Sequence, residues 1–368
     1  MKILIWVGYQ NPYWNKNTWE NKGLGGSEYC ALKLAEYLSK LGHNVIVSGD
    51  VIKGKFGEVQ YLHYNKFLEC RGPVSHINPD AIKVYSHFDV VIGANYIHYL
   101  KHLEEYYITF DQSYFWIHNP DYYKWYKGSE LPFYKSYFKS PKLNKILGVS
   151  KFHEKLLVDN SQSLFNYDIS EALEKIDHID NAIDVNDYTN PLDDKIKGRI
   201  VWSSTPDRGL DFIIQNWNKW KEKRPDLSLV ICFPPYAKNW SMINIEGLKD
   251  VELRGAMNPT QLREIQSKAE YWIYVSNYTE TYCITALEMM LQKVKIITNG
   301  PGNIKKLINR GGRGILINDI DSDVVLEKLL DKYDNKMIDK AYDFALQQSW
   351  ENRTLEWLNI IENETEKV

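Results

Sequence analysis

Short apolar runs alternate with helical stretches along this chain, and the alternation starts twice. This pattern constrains the fold more than any single residue does. In the first half, KILIWVG, HNVIVSGD, FDVVIGAN, EYYITFDQ and KILGVS read as strands. GLGGSEYCALKLAEYLSKLG reads as a glycine loop opening a helix, with Ser27 at its N-cap and Gly42 just past its end. The pattern resumes near residue 199 with GRIVWSS, LSLVICF, YWIYVSN, VKIITNG and RGILIND. Between them lie the helical segments GLDFIIQNWNKWKEKRP, PTQLREIQSKAE and TYCITALEMMLQK. Alternating strands and helices predict two α/β domains, each a doubly wound parallel sheet. The polar, turn-rich NAIDVNDYTNPLDDKIKG marks the boundary, giving domains 1–185 and 186–348. Two such halves are expected to face a cleft, with ligands outside the carboxyl ends of the strands.

Composition narrows the function classes. The chain has 368 residues and a formal net charge of -3, so no global charge calls for nucleic acid. Cys30, Cys70, Cys232 and Cys283 are scattered with no CxxC pair, which argues against a zinc ribbon or a disulfide framework. The apolar run after Lys2 is too short for a signal or membrane segment, and a cytoplasmic location is expected. With 26 Tyr and 12 Trp the chain is rich in aromatics, which serve packing in most positions and line sugar or base sites in some.

Several constellations suit an anionic ligand. In GLGGSE, Gly25 and Gly26 let backbone approach a ligand closely at a helix start. The spacing is GxGG, about fifteen residues after the strand, which disfavours a nicotinamide fingerprint. In SSTPDRGLD, Arg208 follows a strand and precedes a helix, where a guanidinium can pair with diphosphate oxygens. Ser203, Ser204 and Thr205 add neutral donors; the alternative is a helix cap with a solvated arginine. In NYTETYCITALEMM, residues Thr281, Tyr282, Cys283 and Ile284 are expected to open a helix whose free N–H groups form a second anion site. Glu280 stands just before that helix. Glu288 lies two turns further in, among apolar neighbours, where a carboxylate can accept bonds from a ribose diol. His118, in YFWIHNPDYY, fits either a cleft loop or a structural role.

An acidic triplet, Asp321-Ser322-Asp323, reads as a helix cap rather than a cation site, and no metal or cofactor is expected. Residues 121–145 mix eight aromatics with six lysines. They suit sugar stacking, an anionic membrane surface or simply a packed domain edge. Tyr13, Trp14, Trp19, Tyr122 and Tyr123 are the candidate acceptor-side aromatics.

Taken in order, these pieces resemble the retaining glycosyltransferases of family 4. The resemblance runs over nearly the whole chain: GGSE, the histidine after an early strand, GVS at 148–150, HIDNAID at 178–184, the basic loop at 203–208, the two glutamates and SWENRTLEWL at 349–358. The glutamate pair followed by VKIITNGPGNIKKLI is its most specific part. The resemblance implies the GT-B fold, with a C-terminal helix at about 349–368 crossing back to the first domain. It implies a nucleotide-diphosphate sugar, UDP- or GDP-linked, as co-substrate, and a carbohydrate or glycoconjugate acceptor. It puts Gly25 and Gly26 near the donor diphosphate or sugar, and Arg208 where the family usually has a lysine. Glu280 would hold donor-sugar hydroxyls, Glu288 the ribose and the 281–284 backbone a phosphate, with His118 beside the reacting centre. The implied reaction is a metal-independent, same-face substitution. Ser203 replaces a frequent arginine, Ala182 a usual glycine, and ICFPPYAKN lacks a frequent glycine. A nucleotide-sugar epimerase, a phosphorylase and a sugar-nucleotide-binding protein without turnover are the competing readings.

Overall fold

The computed structural model describes residues 1–9, 13–70, 84–120, 135–188, 195–234, 237, 243–309, 312–332 and 335–365. The chain divides into two compact units. Met1–Asn17, Gly26–Asn181 and Trp350–Val368 form the first; Thr18–Gly25 and Ala182–Ser349 form the second.

The first unit is built on an eight-stranded sheet. Its strands are β1 (Lys2–Trp6), β2 (Asn44–Gly49), β3 (Gly54–Phe56), β4 (Val59–His63), β5 (His87–Ala94), β6 (Thr109–Trp116), β7 (Lys145–Gly148) and β8 (Ile176–His178). They lie in the order β3-β4-β2-β1-β5-β6-β7-β8. Ile3 to Trp6 of β1 are completely buried, as a central strand covered on both faces must be. All pairings are parallel except β3 with β4. That antiparallel edge departs from the expected all-parallel sheet. A two-residue turn at Gly57 and Glu58, with φ +58° at the glycine, is short enough for a hairpin and too short for a crossover. β6 also starts later than EYYITFDQ suggests, because Tyr99–Glu105 is helical.

The helix Trp350–Thr365 belongs to this unit. Trp350 and Trp357 are fully buried. Their rings meet Trp116 at 6.5 and 5.2 Å, both edge-on. Gln112 Nε2 donates to Thr365 Oγ1 at 2.7 Å near the far end of the helix. Much of the aromatic surplus is therefore core: Trp6, Trp116, Trp202, Trp217, Trp220 and Trp272 are likewise fully buried.

The second unit has six strands: β9 (Arg199–Trp202), β10 (Ser228–Phe233), β11 (Val251–Ala256), β12 (Tyr271–Tyr274), β13 (Lys295–Thr298) and β14 (Ile315–Leu316). Their order is β11-β10-β9-β12-β13-β14, and every pairing is parallel. The chain winds outward from β9 to β11, then returns past β9 to place β12 on its other side. Strand order reverses between β9 and β12; in open α/β sheets the connecting helices diverge at such a reversal, and ligands bind outside the carboxyl ends of the strands there. The loops leaving these two strands carry Arg208 and Glu280.

Candidate functional site

Arg208 sits in a single 3₁₀ turn, Pro206–Arg208, between β9 and the helix Leu210–Lys223. Gly209 ends that turn with φ +111°, and a Cβ there would lie 2.2 Å from the Val275 carbonyl oxygen. Only glycine lets the loop after β9 pass so close to the end of β12. Glu280 lies in the loop after β12. Its carboxylate accepts from Arg208 Nη1 at 3.1 Å, and the same oxygen accepts from the Tyr274 hydroxyl. The Arg208 guanidinium carbon also stands 3.2 Å from the centre of the Tyr278 ring. Burial opposes the charge on Arg208; Glu280, Tyr278, Tyr274 and Asp207 outweigh it and raise its pKa. Arg208 is a fixed, permanently charged donor. Burial, and then Glu280, push the Tyr274 phenol up, so it stays protonated and donating.

The loop after β13 braces this arrangement. Asn299 Oδ1 accepts from Ser276 N at 3.1 Å and its Nδ2 donates to Ser276 O at 2.9 Å. Asn303 N donates to Glu280 O at 2.8 Å, and Asn303 Nδ2 to Tyr282 O at 3.3 Å. Gly302, with φ +58°, lets the two backbones touch: a Cβ would fall 2.1 Å from Glu280 O.

The helix carrying Glu288 runs over Ile284–Leu291. It begins later than expected, so Thr281, Tyr282 and Cys283 precede it and Ile284 is its first residue. The cause is Cys283, which caps the helix in a left-handed conformation, φ +77° and ψ +79°. A non-glycine residue held there stores strain of the order of 1–3 kcal/mol, a feature found at ligand clamps. The first N–H groups of the helix follow directly. Thr281 and Tyr282 are buried. Glu288 is partly buried, with Oε2 accepting from Gln266 Nε2 at 2.9 Å. Burial raises its pKa, opposed by Gln266 and Arg263. Ser203 Oγ lies 3.4 Å from the same Gln266 amide nitrogen, and Ser204 O accepts from Trp202 Nε1 at 2.8 Å.

The structure thus brings Ser203, Arg208, Glu280 and Glu288 into one unit, on the loops that leave β9 and β12 and the helix that follows β12. Tyr274, Tyr278, Gln266, Gly209 and Gly302 belong to the same constellation and were not singled out from sequence. Gly209 carried a signal, since it follows the candidate Arg208 in the turn-like tetrad RGLD; Gly302, in GPGN, flanks no candidate residue.

In the first unit, His118 follows β6 and is 6% exposed. Its backbone N donates to Asn95 Oδ1 at 2.7 Å and its ring lies 4.3 Å from Trp116. Burial and neighbouring His153 push its pKa down to about 3, so the ring is neutral. Gly26 opens the helix Gly26–Lys40 and is exposed, whereas Gly25, just before it, is partly covered. Among the acceptor-side aromatics, Tyr13 is 49% exposed, beside the His63 ring. Trp14 is a correction: at 2% exposed, edge-on to Tyr61, it is a core residue with no face to offer a ligand. Trp19 is partly exposed on a short helix, Lys16–Lys22. Tyr122 and Tyr123 lie outside the described residues.

Asp321 caps the helix Ser322–Leu330, accepting from Asp323 N at 2.7 Å. Among the described residues, His87–Asp89–Asp111 and Glu154–Asp177–His178 could each gather three metal-ligand atoms. Protein groups already engage both: Lys2 N donates to Asp89 at 2.6 Å, and Lys151 to Glu154 at 2.7 Å. Both groups belong to the first unit. No described helix is long and apolar enough to cross a membrane.

Residues 199–348 match the family described as Glycosyl transferases group 1. Across the whole chain, the structure is similar to that of sucrose-phosphate synthase from Thermosynechococcus elongatus, with a TM-score of 0.70 at 14% identity and 100% of each chain covered. The chain has the GT-B fold. A second GT-B neighbour, Anabaena HepE in complex with UDP-glucose, gives a TM-score of 0.67 at 13% identity, again covering 100% of both chains. The lipopolysaccharide 1,2-N-acetylglucosaminetransferase of Salmonella typhimurium is 23% identical over 164 residues, 40% of this chain and 43% of that protein. The matched region thus spans under half the length of that curated relative. The family match falls within the unit that holds Arg208, Glu280 and Glu288.

Proposed function

We propose that the protein is a nucleotide-sugar glycosyltransferase that moves a hexose-type sugar from a nucleoside-diphosphate donor to a hydroxyl acceptor with retention. The observation that carries this reading is the joining of Arg208, Glu280 and Glu288 at one strand-order reversal, in the region matching group 1 glycosyl transferases. UDP is the favoured nucleotide, because structural neighbours hold UDP or UDP-glucose.

Glu288 takes the ribose diol. The N–H groups at Ile284 and Thr285 take phosphate oxygens, and Arg208 answers the charge that grows on the leaving diphosphate. Glu280 orients Arg208 and accepts from donor-sugar hydroxyls. The reaction is a same-face substitution through an oxocarbenium-like state, with the leaving diphosphate assisting removal of the acceptor proton. The family resemblance assigns His118 to the donor sugar, where a neutral imidazole offers one N–H and one lone pair. The acceptor is a carbohydrate or glycoconjugate, and the proposed location is cytoplasmic.

Incubation with UDP-glucose, UDP-N-acetylglucosamine or GDP-mannose, each with a panel of simple sugars and alkyl glycosides as trial hydroxyl acceptors, followed by product analysis, tests this reading. The expected products are free nucleoside diphosphate and an α-linked glycoside. A β-linked product would reject retention. Binding of the nucleotide with no turnover of any donor would favour a binding protein, and release of an epimerised sugar nucleotide an epimerase.

A further inference from the structure

Gln266 lies in the last turn of the helix Pro259–Ser267 and is fully buried. Its Nε2 donates to Glu288 Oε2 at 2.9 Å and lies 3.4 Å from Ser203 Oγ. Its Oε1 has no hydrogen-bond partner among the described residues. A buried primary amide with one unsatisfied atom costs stability relative to an apolar side chain of the same size. The helix itself does not require it, since Asn258 and Gln261 already form a reciprocal cap at its start.

We infer that Gln266 is a positioning residue for Glu288: its amide N–H holds one carboxylate oxygen so that the other faces the nucleotide. The inference rests on Glu288 being the ribose ligand. The direction of the bond matters. Turning the amide over would set its carbonyl against the carboxylate, so the observed orientation suits an ionised Glu288. The groups that face this carboxyl are Gln266 and Arg263 from one helix, the Cys283 thiol at the start of its own helix and, through Gln266, Ser203 from the loop after β9. Burial pushes the carboxyl up, and the Gln266 N–H pulls it back down. Ser203, where the family often has an arginine, leaves the amide as a neutral holder in this corner.

The test is titration calorimetry with UDP, GDP and ADP from mildly acidic to mildly alkaline pH, on the full chain. Gln266→Met keeps the volume and removes the N–H. It is expected to weaken binding of the preferred nucleotide about tenfold near neutral pH. The acid side of its pH profile should shift upward, because the carboxylate loses a donor. In Gln266→Glu the two carboxyls share one proton, and the protonated partner can donate as glutamine does. That variant is expected to bind better as pH falls through the upper titration of the pair, a slope opposite to that of Gln266→Met. It serves alone if Gln266→Met does not fold. A folded variant with wild-type affinity and an unshifted profile, while Glu288→Gln weakens binding, would overturn the positioning role. If the wild type binds none of the three nucleotides, or Glu288→Gln binds as well as wild type, the ribose reading itself falls.

Discussion

Arg208 Nη1 lies 3.1 Å from Glu280 Oε1, joining loops that leave β9 and β12 and are 72 positions apart in the chain. The pair is partly buried, at 24% and 13% side-chain exposure, so it is better screened from water than a surface ion pair. The guanidinium also stacks on Tyr278, which leaves its remaining N–H groups directed rather than free to wander.

This arrangement predicts how Arg208 acts. Charge on a leaving diphosphate grows toward the transition state, so a preorganised cation should affect turnover more than ground-state binding. Arg208→Ala is expected to lower kcat roughly 10²-fold with UDP-glucose as the trial donor, by analogy with removing one oxyanion donor. Arg208→Lys should recover part of that loss, since it keeps the charge and gives up the planar fork. Steady-state kinetics on both variants checks this. A change confined to KM would contradict the assignment.

Gly302 should behave as a site residue although it carries no side chain. Its φ is +58°, and a Cβ there would come within 2.1 Å of Glu280 O, which leaves no room for a methyl group unless backbone moves. The left-handed conformation alone costs alanine about 1–2 kcal/mol. The Glu280 backbone is what must shift. Gly302→Ala is therefore expected to lower the Tm and also to impair turnover in the folded fraction. Equal specific activity per folded molecule would show that the loop does not set the position of Glu280.

The strands of both units were largely legible because buried parallel strands write continuous apolar runs, as KILIWVG does for β1. Glu288 stood out because an acid beside Ala286, Leu287, Met289 and Met290 has few bland explanations, and Glu280 because it stands just before the start of the same helix. The start of their helix was not. Local pattern puts it at Thr281, but the left-handed backbone of Cys283 delays it to Ile284, and no propensity scale favours cysteine there. Gln266 and Tyr278 were invisible for another reason: each matters only through a partner brought close by folding. Trp14 and Tyr13 are adjacent in an irregular segment, where no periodicity separates the buried ring from the exposed one.

Turnover should not depend on a divalent cation. In the proposed site, Arg208 and the N-terminus of the helix Ile284–Leu291 would both present positive charge to a diphosphate. Asp321 of the acidic triplet is committed to capping its own helix. Excess EDTA is expected to leave the rate of donor consumption unchanged. Loss of activity that magnesium or manganese restores would replace this mechanism with a metal-assisted one.

The buried histidines of the first unit predict acid sensitivity. His118 and His153 are 6% and 0% exposed, and burial is the main cause that pushes each pKa down to about 3. In the unfolded chain both would take up protons near their ordinary pKa of about 6.5. Between those values the unfolded state binds more protons, so stability falls as pH falls. The window opens near pH 6.5 and extends down toward 3, and each histidine adds about 1.4 kcal/mol per pH unit within it. Above about pH 6.5 neither contributes to the slope. His153→Gln can still accept the Val149 N–H that His153 Nδ1 now takes at 3.2 Å, while removing one titration. Denaturant unfolding at several pH values should therefore show a shallower acid slope for His153→Gln and for His118→Gln than for wild type. Parallel slopes in all three proteins would mean that these rings are not held neutral. Specific activity at neutral pH then separates the two positions. His153→Gln should retain transfer, whereas His118→Gln should lose most of it if the imidazole also serves the donor sugar. Full activity in folded His118→Gln would leave that ring a purely structural role.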